Sequence, residues 1–201
     1  MPDINLQYYQ TNAQAFYDST VDVDMQSLYN QFLPLIPAKG LILDAGCGAG
    51  RDSCAFLDLG FEIEAFDASE ALAKLATELH KKQVSVDTFQ HYQNSNKFDG
   101  IWACASLLHV PLNELPSVMS SLSSMLKDNG IFYCSFKYGN QEVRRNGRLF
   151  TNLDETSFIQ QIEGLPLNIQ KQWITGDLRE GRENQKWLNV IMRKSVITDA
   201  R

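Results

Sequence analysis

The sequence has no excess of positive charge and no long apolar run, and these two absences exclude several classes of protein. Its 201 residues carry a formal net charge of −6, which argues against broad electrostatic binding to nucleic acid or to an anionic membrane. No apolar stretch approaches the length of a membrane-spanning helix, and the first residues lack the basic and apolar segments of a signal peptide. We therefore expect a cytoplasmic protein with neither nucleic-acid nor membrane partners.

Cysteine and histidine are also scarce. The four cysteines form no CxxC pair and no evident ligand set with the three histidines, so we predict no metal site. Cysteines in or beside predicted core elements are typical of reduced thiols in an intracellular protein. Hydrophobic residues make up 44% of the chain and charged residues 21%, which fits one globular domain of ordinary size.

The most informative stretch that is present is LILDAGCGAGRDS, residues 41–53. A short apolar strand is followed by Asp44, by Gly46, Gly48 and Gly50, and by a helix that begins near Arg51. Glycines allow a tight turn and a close approach to a ligand, and a helix N-terminus suits a carboxylate or phosphate. The GxGxG spacing differs from the dinucleotide pattern GxGxxG.

An acid beside this loop suits a ligand ammonium better than a pyrophosphate. Asp44 therefore favours the amino-acid end of S-adenosylmethionine, which carries both an ammonium and a carboxylate. The alternative is a glycine turn that merely connects a strand to a helix.

A second acid, Asp67, ends the predicted strand FEIEAF and follows Gly46 by 21 residues. An acid at this distance, at the end of the second strand, can accept the hydrogen bonds of a ribose diol. The alternative is that Asp67 caps the next helix, for which Ser69 would serve as well. Phe89, at the end of the third predicted strand, could cover an adenine.

Strands and helices alternate over residues 41–136, which predicts a doubly wound parallel sheet. The strands are predicted over 41–43, 61–66, 84–89, 98–104 and 131–136. Residues 137–150 are predicted to form a loop. Two final strands, 168–175 and 186–193, are expected to add an antiparallel hairpin to the sheet.

Residues 1–36 are predicted to form a helical cap, and residues 37–201 the main domain. Tyr8, Tyr9, Phe16 and Tyr17 crowd into the cap at helical spacing. This segment could cover the glycine loop, or its aromatic side chains could simply pack on the core.

His109 follows the fourth strand, at the edge of the sheet where open α/β folds bind their ligands. A histidine there can act as a general base, or it can be a partly buried residue at the start of a helix. Tyr17 and Tyr9 are the other candidates for a base. Such a base is needed only if the nucleophile must lose a proton.

Five of the eight arginines lie between residues 144 and 182, in a chain that is acidic overall. Arginine binds carboxylates and oxyanions with two parallel hydrogen bonds, so the cluster indicates a pocket for an anionic substrate. The predicted substrate-binding residues are Tyr9, Arg144, Arg148, Arg179 and Arg182. The alternative is a solvated loop whose arginines pair with Glu142, Asp177, Glu180 and Glu183.

Four segments resemble the motifs of the class I S-adenosylmethionine-dependent methyltransferases. They are LDAGCGAG (43–50), EAFDAS (64–69), FDGIWACASLLHVP (98–111) and LKDNGIFYCSFK (126–137). The resemblance implies a Rossmann-like, doubly wound α/β fold with three layers (α/β/α) and a seven-stranded, mostly parallel sheet whose last strand is antiparallel. GRDS (50–53) and FKYG (136–139) look most like the branch that includes the tellurite-resistance methyltransferases.

The resemblance also implies roles for single residues. Asp44 and the glycine loop would hold the methionine part of S-adenosylmethionine, Asp67 the ribose and Phe89 the adenine. The predicted cofactor site comprises Asp44, Gly46, Cys47, Gly48, Gly50, Arg51, Asp67, Ala68, Ser69, Phe89, Ala103, Cys104 and Ala105. His109 and Tyr17 are the predicted catalytic residues, and S-adenosylhomocysteine would be the product.

The sequence therefore predicts a methyltransferase, monomeric or homodimeric, that acts on a small anionic or thiol-like acceptor. One rival hypothesis is a Rossmann-type oxidoreductase, which the glycine spacing and Asp44 oppose. The other is a non-catalytic cofactor-binding module of the same fold that acts through a protein partner. An intact glycine loop favours cofactor binding, but it does not bear on turnover.

Overall fold

Nine strands are present in the computed structural model, which describes residues 4–179, 181–182 and 184–196. They are β1 (Leu41–Ala45), β2 (Glu62–Asp67), β3 (Ser85–Val86), β4 (Phe98–Ala103), β5 (Leu126–Lys137), β6 (Glu142–Arg145), β7 (Arg148–Thr151), β8 (Leu167–Gly176) and β9 (Lys186–Lys194). Seven of them form one sheet in the order β3-β2-β1-β4-β5-β9-β8. The pairs among β1 to β5 are parallel, and β9 is antiparallel to both β5 and β8. This is the predicted mostly parallel sheet with an antiparallel last strand.

The two faces of the sheet are covered by different helices. The helices are α1 (Ile4–Thr11), α2 (Ala13–Thr20), α3 (Gln26–Phe32), α4 (Arg51–Asp58), α5 (Glu70–His80), α6 (Leu115–Ser124) and α7 (Glu155–Gln161). Buried side chains of α3, α4 and α5 pack on one face, and those of α6 and α7 pack on the other. The predicted three-layer architecture is thereby confirmed.

The central strands are apolar on both faces, as parallel strands between two helical layers must be. Ile42 and Leu43 of β1 and Ile101 and Trp102 of β4 are fully buried. Asp44, the polar residue of β1, lies near the carboxyl end of that strand. The cleft described below opens at that edge.

Two elements differ from the sequence-based expectation. The third strand contains only two residues, and Phe89 lies beyond its end. The predicted loop contains a hairpin, β6–β7, in which Arg145 pairs with Arg148. Asn146 and Gly147 turn the chain with φ values of 51° and 70°, and an Asn-Gly pair of this kind is the usual signal for a two-residue hairpin.

The N-terminal segment divides into two parts. The α3 side chains Leu28, Tyr29 and Phe32 are buried against Phe56 and Trp102, within the core of one sheet face. The helices α1 and α2 lie outside this core, where α1 packs on α5 and β7 and α2 packs on α5. A separate cap that ends at residue 36 stays a prediction, as does the location of the protein in the cell.

Two negative findings concern the described residues only. None of their helices has the length and apolar character needed to cross a bilayer. Their histidine, cysteine and acidic side chains form no group of three that would suit a metal ion.

Candidate active site

The glycine loop after β1 forms the floor of a cleft. Gly46 and Gly48 have φ values of +73° and +56°, which favour glycine. A Cβ on Gly46 would lie 2.7 Å from the Cβ of Ser106, and one on Gly48 would lie 3.2 Å from Cε1 of Phe16. Any side chain at these positions would fill the space, so the two glycines keep the cleft open beneath α2.

Asp44 is a buried carboxylate that forms no salt bridge within the part of the chain that the structure describes. It is 2% exposed, and Ser53 Oγ, at 2.7 Å, is its only hydrogen-bond donor among the described residues. Burial, together with the charge of Asp52, raises the pKa of Asp44 to about 8. A ligand ammonium would supply the missing positive charge, so this site fits the amino group predicted to bind there.

Asp52, in the first turn of α4, is hydrogen-bonded on both carboxylate oxygens instead. It accepts hydrogen bonds from Tyr29 Oη (2.6 Å), Trp102 Nε1 (2.8 Å) and two nitrogens of Arg51 (2.6 and 3.0 Å). Burial alone would raise its pKa, but the Arg51 guanidinium and these hydrogen bonds hold the pKa of Asp52 below its usual range. Arg51 Nη1 also donates to the carbonyl of Thr20, which ties the end of α2 to the cleft.

Asp67, at the end of β2, forms a hydrogen bond with the glycine loop. Its carboxylate accepts the backbone N–H groups of Gly48 and Ser69, both at 2.8 Å. The side chain of Ser69 caps α5 by accepting the N–H of Leu72, so Asp67 is not needed as the helix cap. Each carboxylate oxygen retains a lone pair for a ligand hydroxyl.

Two adjoining cavities, of about 170 and 110 Å³, form the cleft over the carboxyl ends of the strands. Both are lined by Tyr9, Phe16, Gly46, Gly48, Ala105 and His109. The larger cavity also contains Asp44, Cys47, Arg51 and Cys104, and the smaller contains Asp67, Ala68, Ser69 and Phe89. The predicted cofactor residues are thus brought together, except that Gly50 and Ala103 line neither cavity.

Tyr9, His109 and Arg148 form a chain of hydrogen bonds where the two cavities meet. Tyr9 Oη lies 2.8 Å from His109 Nε2, and Arg148 Nη1 donates to Tyr9 Oη at 3.3 Å. His109 Nδ1 lies 2.8 Å from the carbonyl of Leu149. Burial raises the pKa of Tyr9, and Arg148 partly opposes this effect. Tyr17, the other predicted catalytic residue, lines neither cavity.

The larger cavity has a second wall rich in cations and aromatic rings. Lys137 Nζ lies 4.8 Å and Arg148 Cζ 5.1 Å from the centre of the Phe150 ring. Neither cation forms a salt bridge among the described residues. Burial and the neighbouring arginines lower the pKa of Lys137.

The predicted substrate arginines occupy different positions. Arg179 and Arg182 line the larger cavity with Arg148, whereas Arg144 is exposed on β6 and lines neither cavity. Arg179 forms an ion pair of 2.5 Å with Asp177, which supports the predicted alternative of paired charges at this position. Two of the predicted pairing residues, Glu180 and Glu183, lie outside the described residues.

Sequence reasoning missed three residues of this wall. Lys137 ends β5, Phe150 lies in the hairpin and Trp187 begins β9, and all three line the larger cavity. Lys137 could have been predicted from the sequence, because it is a lysine at the carboxyl end of an apolar central strand. The other two carried no distinct signal, because only the hairpin and the antiparallel β9 bring them to the cleft.

A cleft at the carboxyl ends of parallel strands, with a glycine loop after β1 and an acid ending β2, defines a Rossmann-like ligand-binding site. The chain belongs to the methyltransferase domain family, whose family model matches residues 17–162. This membership confirms the predicted methyltransferase family.

Individual relatives are distant. A ubiquinone biosynthesis O-methyltransferase of Xanthomonas axonopodis pv. citri is 29% identical over 109 residues, which are 50% of this chain and 44% of the relative. The chain therefore spans less than half the length of that relative.

Two solved structures have a similar fold. One is the Burkholderia thailandensis 1,6-didemethyltoxoflavin N1-methyltransferase, solved with 1,6-didemethyltoxoflavin and S-adenosylhomocysteine (TM-score 0.79, 17% identity, 96% of this chain and 88% of that one). The other is the N-methyltransferase NodS of Bradyrhizobium japonicum WM9, solved with S-adenosylhomocysteine (TM-score 0.73, 16% identity, 96% and 99%). At these identities the likeness concerns the fold.

Proposed function

We propose that this protein transfers the methyl group of S-adenosylmethionine to a small anionic acceptor. The observation that carries the proposal is the pair of cations, Lys137 and Arg148, that converge on the Phe150 ring without a carboxylate partner among the described residues. Both cations lie against this ring, and the charge of Arg148 is one of the influences that lower the pKa of Lys137. An anionic ligand beside them would offset this repulsion.

The cofactor would lie across both cavities. Asp44 would bind its ammonium, Asp67 its ribose hydroxyls and Phe89 its adenine. When bound, S-adenosylmethionine supplies an electrophilic methyl carbon on a sulfonium. Ala105 lies between the two cavities with a φ of +51°, an uncommon value for alanine. Its N–H donates to Ser135 Oγ at 2.8 Å, which stabilises this conformation.

The protein's task is then to place the acceptor atom in line with the methyl carbon. Cations and aromatic side chains on β5, β7 and β9 would hold the acceptor from one side, and Tyr9 and Phe16 would cover it from the other. Holding two reactants in this way contributes up to roughly 7–11 kcal/mol to lowering the barrier. A thiolate acceptor needs nothing further, because it is already ionised.

The test compares two thiols of the same shape, 4-mercaptobenzoate and the uncharged 4-mercaptobenzamide, as acceptors of labelled methyl groups. We expect the carboxylate to be preferred in kcat/KM by about tenfold or more, since charge-assisted hydrogen bonds contribute about 1.5–3 kcal/mol. The Lys137→Gln and Arg148→Gln variants should lose most of this preference.

The matched control is Lys127→Gln, since Lys127 is an exposed lysine at the opposite end of β5 that pairs with Asp99. It should keep the preference. Equal rates for the two thiols in the unmodified protein would contradict an anionic acceptor.

Two finer predictions remain open. The resemblance to the tellurite-resistance branch would make the acceptor a chalcogen oxyanion, which the same cations could bind. A non-catalytic module would instead bind S-adenosylhomocysteine but methylate no acceptor. The acceptor-side cavity next to the cofactor residues favours the enzyme.

A further inference from the structure

We propose that Tyr9 and His109 form a proton relay, and that the atom methylated on the acceptor is therefore a hydroxyl oxygen. This inference rests on the proposed function, because it assigns the accepting atom and a base to the same site. It is carried by the hydrogen-bond geometry of three residues, Tyr9, His109 and Arg148.

The contacts of His109 determine which nitrogen carries the proton. Its Nδ1 lies 2.8 Å from the carbonyl oxygen of Leu149, which can only accept a hydrogen bond. Nδ1 therefore carries hydrogen in the neutral ring, and Nε2 carries the lone pair that accepts a hydrogen bond. Tyr9 Oη, 2.8 Å away, donates its hydrogen to that lone pair.

The hydrogen-bonding roles of the Tyr9 hydroxyl are consequently fixed. Its hydroxyl donates to His109 and accepts from Arg148 Nη1 at 3.3 Å, and one lone pair of the oxygen remains. Tyr9 lines both cavities, so it lies where the acceptor and the methyl group would meet under the proposed function.

The relay is held rigidly by its neighbours. Asn5 Nδ2 donates to the carbonyl of His109 at 3.1 Å, and Asn5 Oδ1 accepts the N–H of Leu149 at 2.7 Å. The Tyr9 ring meets the rings of Phe16 and His109 edge-on, at 5.1 and 5.3 Å. Such packing fixes the side chains before the ligand binds, as a general base requires.

The proposed step conserves protons and electrons. The acceptor hydroxyl gives its proton to Tyr9 Oη while the Tyr9 proton moves to His109 Nε2, which forms an imidazolium. The acceptor oxygen uses the freed electron pair to bond the methyl carbon. The electron pair of the breaking carbon–sulfur bond stays on sulfur, and His109 later returns its proton to water.

A comparison of the possible acceptor groups, thiol, amine and hydroxyl, favours a hydroxyl. A thiol ionises near pH 8.5 without help, and a neutral amine attacks with its own lone pair, whereas a phenolic hydroxyl has a pKa near 10 and needs a base. The charged or titratable groups that influence Tyr9 are Arg148, Asp67 and Tyr8. Burial dominates among these influences and raises the pKa of Tyr9. Tyr9 therefore stays a phenol at neutral pH and must pass its proton on.

The experiment compares 4-hydroxybenzoate with 4-mercaptobenzoate, which differ in one atom, as acceptors for the unmodified protein and for Tyr9→Phe and His109→Gln. For the hydroxyl probe we expect each substitution to lower kcat by about 10²- to 10⁴-fold, with a much smaller change in KM. For the thiol probe, kcat should change little. Binding of S-adenosylhomocysteine, measured by calorimetry, shows that each variant is folded.

The matched control is Tyr138→Phe, because Tyr138 is an exposed tyrosine whose hydroxyl bonds Glu155 away from the cleft. It should methylate both probes at the unmodified rates. Equal losses on both probes in Tyr9→Phe, or no loss on the hydroxyl probe, would overturn the relay. Methylation of the thiol probe alone by the unmodified protein would also overturn it and leave the proposed function standing. If neither probe is methylated, the proposed function fails as well.

Discussion

Asp44 is the residue whose charge depends most on what binds beside it. In the free protein its carboxyl is buried and its pKa is raised to about 8, so at pH 7 it is mostly protonated. A ligand ammonium next to it favours the carboxylate. Cofactor binding at pH 7 should therefore release a large fraction of one proton.

Calorimetric titration with S-adenosylhomocysteine in phosphate and in Tris at pH 7 measures this release, because the two buffers differ in their heat of protonation. We expect different apparent enthalpies for the unmodified protein and equal ones for Asp44→Asn, which should also bind more weakly. Glu62→Gln, a substitution of an exposed acid at the start of β2, should keep the difference. Equal enthalpies in the unmodified protein would show that Asp44 is already ionised.

The same pKa has a consequence for stability. Because the folded-state pKa of Asp44 lies above its unfolded value of about 3.9, the folded protein holds the proton more tightly. The free energy of unfolding should therefore fall as the pH rises from about 4 to about 8. Asp44→Asn should remove this part of the pH dependence.

At the scale of elements, the contact between α1 and β7 closes the cleft on the acceptor side. Asn5, buried in α1, bridges the backbones of His109 and Leu149. Replacing it with Leu would leave a partly buried carbonyl and a partly buried N–H with one partner fewer each, and such a loss costs up to about 1–3 kcal/mol.

We expect Asn5→Leu to speed amide hydrogen exchange in α1 and β7 while the central strands stay protected. Gln7→Ala is the matched control, because Gln7 is exposed on the same helix and its loss should change nothing. Unchanged exchange in the Asn5 variant would mean that packing alone holds α1 in place.

The elements also show which parts of the fold and of the cleft could be predicted from the sequence. Asp44, the glycines and Asp67 were predictable because a strand, a turn and a helix follow one another within a few residues. The hairpin was not predicted, because the arginines at 144, 145 and 148 are typical of a solvated loop. The pair Asn146-Gly147 nevertheless indicates a two-residue turn. Lys137, Phe150 and Trp187 come together from distant strands, and local patterns do not record such contacts.

At the scale of the whole molecule, residues 4–36 contribute to two different parts of the structure, the sheet core and the wall of the cleft. Met25, Leu28, Tyr29, Phe32 and Ile36 are buried in the sheet core, and burying each such side chain contributes about 1.5–3 kcal/mol. Their sum is comparable with the entire stability of a domain, about 5–15 kcal/mol.

We therefore expect a chain that begins at residue 37 to unfold, and a chain that begins at residue 25 to remain folded. Thermal unfolding followed by near-ultraviolet circular dichroism distinguishes the two, since the Tyr29 ring packs at a tilt against the Trp102 ring in this core. A cooperative transition for residues 37–201 would instead support the boundary predicted from the sequence.

The residues proposed to bind the cofactor and those proposed to bind the acceptor come from different parts of the molecule. The residues that would hold the cofactor follow β1, β2 and β4, inside the parallel sheet. Those that would face the acceptor lie on α1, on the hairpin, at the end of β5 and around the β8–β9 turn. Apart from α1, whose Tyr9 lines both cavities, the acceptor wall is therefore built from segments that line only the larger cavity.

This separation has an evolutionary consequence. Mutations in the hairpin or the β8–β9 turn can alter which molecule is accepted without disturbing the strands that form the core. A lineage can thus acquire new substrates while it retains the same donor, and a laboratory library restricted to these segments should yield altered selectivity at little loss of expression.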